Sequence, residues 1–409
     1  MKSESFTLKN GVRIFIYPTP YLESVSIAIG VSYGSMDDSD QTMGAAHFLE
    51  HMLFKGTKTR TVSQIKEEIR DMGIMWNAYT DFERTTYYFQ AYKDNFPKMI
   101  ELLSDLFLNS TIPKTEFELE RGPVLNEELM REDNNQYFFW DHLPKALYKR
   151  HPAGRKMVGN RESIKGIKRE DLLKIYQTYY TPQNTVVAIY GSVGIEVAKR
   201  LAEKYFSKFN KREVKKQRPL AREPQVKNEV TVRKENIKQA IIGVGFKCRE
   251  FHPSTVRETT ALITAARVLN YRITDEVREK RGLSYIQWAS YFQLSTFGFI
   301  AVQAGVEPKK IQEVKGIILE EFEKMRKGQI TEDDIKKAKE GLIAQYRILR
   351  ENTMAMANSI TSMTLTTGDY KYTENLPDLI SQVKLADVKK YCKKYIKTKS
   401  YSSVILKPE

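Results

Sequence analysis

The sequence predicts an α+β protein of two structurally related domains, each a mostly antiparallel sheet packed by helices on one face. The chain has 409 residues, which is too long for one compact core and suits two domains of about 200 residues each. A helix followed by a strand recurs at corresponding places in the two halves. The chain also opens with strand-like alternation before its first helical stretch.

The first elements follow from hydrophobic periodicity and turn residues. Apolar residues alternate on both sides of Asn10-Gly11, which predicts a β-hairpin, and again over residues 25–31, which predicts a further strand. Residues 34–44 are polar and contain glycine at both ends. Good helix formers follow from Ala45 to Phe54, so we expect a helix there.

The internal repeat sets the domain boundaries. Residues 171–189 align with 387–405, each read as a helix followed by a strand. Between the halves lies a basic segment without apolar periodicity that contains Pro219. We therefore predict one domain over residues 1–207, a linker over 208–227 and a homologous second domain over 228–409.

Composition excludes several classes of protein. The formal charge is +15, but the lysines alternate with acidic residues on helical stretches and no nucleic-acid motif is present, so we expect no nucleic-acid partner. No apolar run is long enough to span a membrane. Cys248 and Cys392 are the only cysteines, far apart and outside any CxxC spacing, which with the absence of a signal peptide predicts a cytoplasmic protein.

One short motif carries metal chemistry. His47 and His51 are four residues apart on the predicted helix, so both rings leave the same face one turn apart and can share a metal ion. Glu50 lies between them. In a zinc hydrolase such a carboxylate takes the proton of a water molecule whose pKa the ion lowers to about 7. We predict Glu50 as general base and one zinc ion per chain.

A third ligand is expected, because catalytic zinc takes three protein ligands and keeps one open position. Glu120 and Glu127 are seven residues apart and share a face of a predicted helix, whereas Glu128 points about 100° away from Glu127. Glu127 is the preferred ligand, and Glu120 is expected to orient the site. Pro123 lies between them and predicts a kink.

These segments together resemble a known family. Residues 44–57 (GAAHFLEHMLFKGT), 77–88 (NAYTDFERTTYY) and 120–127 are similar to the pitrilysin/insulinase metallopeptidases, in particular the short-subunit branch that includes the mitochondrial processing peptidase. The H-x-x-E-H order is the inverzincin signature. The resemblance implies zinc ligands at His47, His51 and Glu127, with Glu50 as base and Glu120 as the auxiliary carboxylate.

The resemblance extends to substrate binding and assembly. Residues 278–285 (REKRGLSY) are similar to the family segment whose arginine and tyrosine hold the substrate, which implies this role for Arg278 and Tyr285. Asn77 and Ala78 correspond to the strand edge that binds substrate as an added β-strand. Because one chain carries all these residues, the resemblance implies a homodimer enclosing a chamber, with peptides or unfolded segments as substrates.

Alternative interpretations remain open from the residues alone. A catalytically silent scaffold subunit would keep the same fold, although none of the motif residues is missing here. A nucleic-acid-binding protein is suggested by net charge only. A structural zinc site would need a fourth ligand. His142, His151 and His252 have no ligand-like spacing and are interpreted as ordinary structural or surface residues.

Overall fold

The computed structural model of the chain describes residues 3–209, 218–235 and 237–409. The strands are β1 (Glu4–Thr7), β2 (Arg13–Pro18), β3 (Ser24–Val31), β4 (Met75–Thr80), β5 (Thr85–Tyr92), β6 (Thr185–Gly191), β7 (Asn228–Lys234), β8 (Ala240–Cys248), β9 (Ser284–Gln293), β10 (Gly298–Val306) and β11 (Ser402–Pro408). The α-helices are α1 (Ala45–Met52), α2 (Val62–Asp71), α3 (Phe96–Asn109), α4 (Lys114–Asp133), α5 (Asn135–Leu147), α6 (Arg161–Gly166), α7 (Arg169–Tyr179), α8 (Ile195–Phe206), α9 (Val256–Ile273), α10 (Ile311–Arg326), α11 (Glu332–Leu349), α12 (Thr353–Thr367), α13 (Lys371–Ser381) and α14 (Leu385–Tyr395). A π-helical segment, Thr274–Glu279, continues α9.

The described residues form two compact units. Unit 1 takes them from Met1–Met130, Lys156–Gln217 and Ile348–Thr373. Unit 2 takes them from Arg131–Arg155, Arg218–Arg347 and Glu374–Glu409. Each unit therefore combines one long stretch of its own half of the chain with a segment from the other half.

The two sheets have matching topologies. Unit 1 contains a six-stranded sheet in the order β1-β2-β6-β3-β5-β4, in which only β2 and β6 run parallel. Unit 2 contains a five-stranded sheet in the order β7-β11-β8-β10-β9, in which only β11 and β7 run parallel. In both sheets the last strand of the unit, β6 or β11, is preceded by an α-helix, α7 or α14, as the internal repeat predicts.

Each sheet buries both faces of its central strands. In β3, Val25, Ile27 and Ile29 face one hydrophobic core, while Ser26 and Gly30 face α12. A side chain at Gly30 would come within 2.3 Å of the Thr361 methyl group, so the glycine allows α12 to pack closely.

Unit 2 repeats this arrangement with a helix from the other half of the chain. In β8, Ile242, Val244 and Phe246 face the core of unit 2. A Cβ at Gly243 would lie 2.8 Å from the Phe139 ring of α5. The exchanged helices α12 and α5 thus cover equivalent sheet faces.

The fold class predicted from the sequence is confirmed: both units are α+β, with mostly antiparallel sheets and helices packed against them. The prediction placed helices on one face of each sheet. In the structure the other face is also covered, by α12 in unit 1 and by α5 in unit 2. The units also differ from the contiguous domains expected from the sequence, because residues 131–155 pack in unit 2 and residues 348–373 in unit 1.

Two further expectations concern the linker and membranes. Residues 210–217 of the predicted linker 208–227 lie outside the described residues, while 218–227 belong to unit 2. Among the described residues, no helix combines the length and the apolar character that crossing a membrane requires.

Candidate metal centre

The motif helix α1 makes close contacts at its start in unit 1. It begins after Gly44, whose φ of +95° favours glycine and whose Cβ position would lie 2.6 Å from a backbone oxygen of Val158. The buried Asp38 carboxylate accepts hydrogen bonds from the backbone N–H groups of Gly44 at 3.0 Å and Ala46 at 3.1 Å. Asp38 thereby satisfies donors at the start of the helix, which the helix itself leaves unpaired.

The two motif histidines converge with a carboxylate from α4. His47 Nε2 and His51 Nε2 are 3.3 Å apart. Glu127 places one carboxylate oxygen 3.3 Å from His47 Nε2 and the other 3.3 Å from His51 Nε2. Within the described part of the chain, these three residues are the one group of at least three whose donor atoms are close enough to share a metal ion.

The spacing of these donors fits zinc. Zinc bonds of about 2.0–2.1 Å to nitrogen or oxygen in a tetrahedral site place neighbouring donors about 3.3–3.4 Å apart. His47 Nε2 and His51 Nε2 are 3.3 Å apart, close to this value, and each lies 3.3 Å from a different oxygen of Glu127. Two imidazoles and one carboxylate also form a donor set of catalytic zinc sites, which leave the fourth position open.

A second carboxylate of α4, that of Glu120, contacts one of the two histidines. Glu120 lies 3.0 Å from His51 Nδ1 and 2.5 Å from Lys55 Nζ. A carboxylate on the outer ring nitrogen fixes the orientation of a metal-ligating histidine. His47 differs, because its Nδ1 is buried without a hydrogen-bond partner among the described residues.

The charges of this cluster are strongly coupled. Burial alone would lower the pKa of His51, but hydrogen bonds with Glu120 and Glu127 outweigh burial and raise it to about 9. Hydrogen bonds with His47 and His51 hold the pKa of Glu127 well below its ordinary value. For Glu120, burial favours a higher pKa, but the bonds to His51 and Lys55 lower it. The cluster therefore attracts positive charge.

Glu50 is buried beside the two histidines. Burial penalises its charged form and raises its pKa, against the opposing effects of His47 and a hydrogen bond from Thr80. The Thr80 hydroxyl donates to Glu50 Oε2 at 2.6 Å. A carboxylate whose pKa is raised accepts a proton more readily than an ordinary glutamate does.

The predicted substrate-edge residues lie on β4. This strand is at the edge of the sheet in unit 1 and, among the described residues, pairs with β5 alone. Asn77 is exposed and Ala78 half-buried, and Asn77 Oδ1 accepts the N–H of Ala78 at 2.8 Å. An edge strand of this kind can pair with an extended peptide.

Arg278 and Tyr285 lie together in unit 2. Arg278 is in the π-helical segment Thr274–Glu279, and its guanidinium lies 5.1 Å from the centre of the Tyr285 ring. Tyr285 is at the start of the edge strand β9 and is 77% exposed. Both side chains are accessible donors for a ligand, which is compatible with the role implied by the resemblance.

Three residues near the cluster were not predicted from the sequence to belong to the site: Asp38, Lys55 and Thr80. Strand alternation offered a signal for Thr80, because it shares a face of β4 with Ala78. Asp38 gave no such signal, since a carboxylate in a polar loop normally faces solvent. Pro123, expected to kink its helix, lies inside α4, which continues from Glu120 to Glu127.

The remaining histidines contact backbone groups near them. His142 Nδ1 is 3.0 Å from the Phe138 carbonyl and His151 Nε2 is 2.8 Å from that of Pro219. His252 accepts the N–H of Ser254 at the start of a 3₁₀ turn.

Two family models and several known proteins are similar to this chain. The family model described as Insulinase (Peptidase family M16) matches residues 13–161, and the model described as Peptidase M16 inactive domain matches residues 166–342. The uncharacterized zinc protease YmxG of Bacillus subtilis is 26% identical and covers 98% of both chains. The mitochondrial-processing peptidase subunit beta of Neurospora crassa is 28% identical over 97% of this chain and 86% of its own.

A solved structure extends the similarity to the complete fold. The crystal structure of a protease from Helicobacter pylori covers 100% of this chain with a TM-score of 0.90 at 23% sequence identity. The two family models cover different parts of the chain and belong to the same family. The resemblance noted from the sequence motifs is thus confirmed, and the chain belongs to the M16 family of peptidases.

Proposed function

We propose that the chain is a zinc-dependent endopeptidase that cleaves peptides or unfolded segments. The convergence of His47, His51 and Glu127 beside the buried Glu50 is the observation that carries the proposal. Membership of a peptidase family, with relatives named zinc proteases, supports it. The three donors would hold one zinc ion per chain.

The chemistry follows from the positions of these side chains. A zinc ion would act as a Lewis acid and lower the pKa of a water molecule to about 7. Glu50 would accept the proton of the attacking water and deliver it to the leaving amine. Glu120 would keep the His51 ring oriented through Nδ1.

Substrate binding is assigned to residues of both units. An extended peptide would pair with β4 at Asn77 and Ala78, which recognises backbone more than side chains. Arg278 and Tyr285 would donate hydrogen bonds to the peptide and to the oxyanion formed at the scissile carbonyl. Because the same chain carries both sets, we propose a homodimer that encloses a chamber and needs no specialised partner subunit. We expect no nucleic-acid partner, and a cytoplasmic location stays a prediction.

Hydrolysis of a quenched fluorescent peptide tests the proposed activity. We expect cleavage that stops with a chelator, returns with zinc and is absent in Glu50→Gln. Equal hydrolysis by wild type and Glu50→Gln would contradict the role of Glu50. No cleavage across a diverse peptide library by zinc-loaded protein would favour the scaffold alternative.

A further inference from the structure

One side chain outside the ligand set contacts the proposed base directly. Thr80 is 9% exposed, at the end of β4, and its hydroxyl is 2.6 Å from Glu50 Oε2. In the part of the chain that the structure describes, this is the hydrogen bond that the Glu50 carboxylate receives. The short distance is typical of a hydroxyl that donates to an ionised carboxylate.

The direction of this hydrogen bond follows from its acceptor. Thr80 has a single hydroxyl hydrogen, and Thr85 is its other close hydroxyl neighbour, at 3.5 Å. Thr85 donates to the Tyr33 carbonyl at 2.9 Å, and its oxygen is a weaker acceptor for Thr80 at 3.5 Å than Glu50 Oε2 is at 2.6 Å. An ionised carboxylate can only accept. The hydrogen of Thr80 is therefore directed at Glu50, and Oε2 is the oxygen that receives it.

The bond matters because glutamate is flexible. Its side chain has three rotatable bonds, and a carboxylate near two histidines has more than one possible orientation. With Oε2 engaged by Thr80, Oε1 is the oxygen left to accept a proton. Thr80 also belongs to the strand that carries Asn77 and Ala78, so the base and the substrate edge are connected through one strand.

We propose that Thr80 is a positioning residue, whose hydroxyl holds Glu50 in the orientation that presents Oε1 to the attacking water. This inference rests on the proposed peptidase function. It assigns no ligand or proton-transfer role to Thr80 itself. Its consequence is that the hydroxyl, rather than the volume of the side chain, is required at position 80.

Two substitutions of Thr80 distinguish the effect of its hydroxyl group from the effect of its side-chain volume. Thr80→Val keeps the branched shape and loses the donor, and Thr80→Ser keeps the donor and loses a methyl group. We expect Thr80→Val to lower kcat about 10- to 100-fold, the range for losing a hydrogen bond to a charged group, with KM and zinc content unchanged. Thr80→Ser should retain kcat within about threefold.

A matched control lies on the adjacent strand. Thr86 on β5 is fully buried, and its hydroxyl has no hydrogen-bond partner among the described residues, so Thr86→Val should leave kcat unchanged. The proposal is overturned if Thr80→Val lowers kcat no more than Thr86→Val does. It is equally overturned if Thr80→Ser loses as much activity as Thr80→Val.

Crystal structures of the zinc-loaded proteins give a readout that does not depend on activity. In Thr80→Val we expect the Glu50 carboxylate to rotate or to occupy more than one conformer, and in Thr80→Ser to stay as in wild type. An unchanged Glu50 in Thr80→Val would overturn the proposal. If the wild type cleaves no peptide, the peptidase function fails, while this structural comparison still decides the role of Thr80.

Discussion

The two units share a sheet topology but differ in the polar groups that are buried by the helix after β3 or β8. In unit 2, β8 leads to the 18-residue helix α9, whose buried Thr260 and Thr264 donate to carbonyls one turn earlier. Its buried Glu258 accepts hydrogen bonds from Lys394 and Tyr395 of α14. In unit 1, β3 leads to the 8-residue helix α1, which buries His47 and Glu50. These two side chains meet partners from distant segments.

The difference shows how a site is built onto a common fold. A threonine satisfied by its own helix adds no requirement elsewhere in the chain. A buried glutamate or histidine is costly without partners, so Glu127, Thr80 and Glu120 must each be brought to α1 from another element. Glu258 of α9 also takes partners from another helix, but among the described residues it is at α1 that two histidines and a carboxylate come close enough to share a metal ion.

The largest effect is expected when one of the proposed zinc-binding histidines of α1 is removed. In His47→Ala or His51→Ala, the zinc content measured by elemental analysis should fall from about one per chain to near zero, because two protein ligands hold zinc poorly. The control is His252→Ala in unit 2, which should keep full zinc content since that ring caps a 3₁₀ turn. Equal zinc content in all three variants would refute the assignment of these ligands.

Much of this contrast was accessible from the sequence. The spacing of His47, Glu50 and His51 places them on one helix face, and the seven-residue interval from Glu120 to Glu127 predicts that both approach the same place. These patterns are local, so they can be recognised in the sequence without knowledge of the tertiary fold.

Tertiary arrangement accounts for what the sequence did not predict. A helical pattern does not specify which sheet a helix packs on, so the exchange of α5 and α12 was not foreseen. Asp38 and Thr80 have short polar side chains in common loop and strand settings. Their contacts with α1 exist only because β4 and residues 34–44 fold against it.

A smaller effect is expected when Glu120, the carboxylate that contacts His51 Nδ1, loses its charge. Glu120→Gln should weaken zinc affinity about 10- to 100-fold, because the His51 ring loses its carboxylate partner while the three ligands remain. Glu118→Gln on the exposed face of α4 is the matched control and should bind zinc as wild type does. Competition with a zinc indicator measures both affinities. An affinity unchanged in Glu120→Gln would show that the bond to His51 does not support the metal site.

The smallest effect concerns the start of α1. Burial is the main cause that raises the pKa of Asp38 to about 7, against hydrogen bonds from Ala46, Tyr33 and Gly44. A carboxyl group whose pKa is higher in the folded state stabilises the fold at low pH and loses that contribution as pH rises through about 7. Relative to Asp38→Asn, the wild type should lose on the order of 1 kcal/mol of unfolding free energy between pH 6 and pH 7.

Urea unfolding of both proteins at the two pH values measures this difference. Asp71→Asn, at an exposed position of unit 1, serves as the control and should follow the wild type at both pH values. A wild-type protein that gains stability relative to Asp38→Asn over this interval would contradict the sign of the pKa shift.

The most direct test of the candidate metal centre is a crystal structure of the zinc-loaded protein with anomalous diffraction data at the zinc edge. We expect one strong peak per chain, about 2.0–2.2 Å from His47 Nε2, His51 Nε2 and a carboxylate oxygen of Glu127. A stoichiometric zinc ion bound elsewhere, or coordinated by four protein ligands in a closed site, would contradict the assignment of this cluster as a catalytic centre.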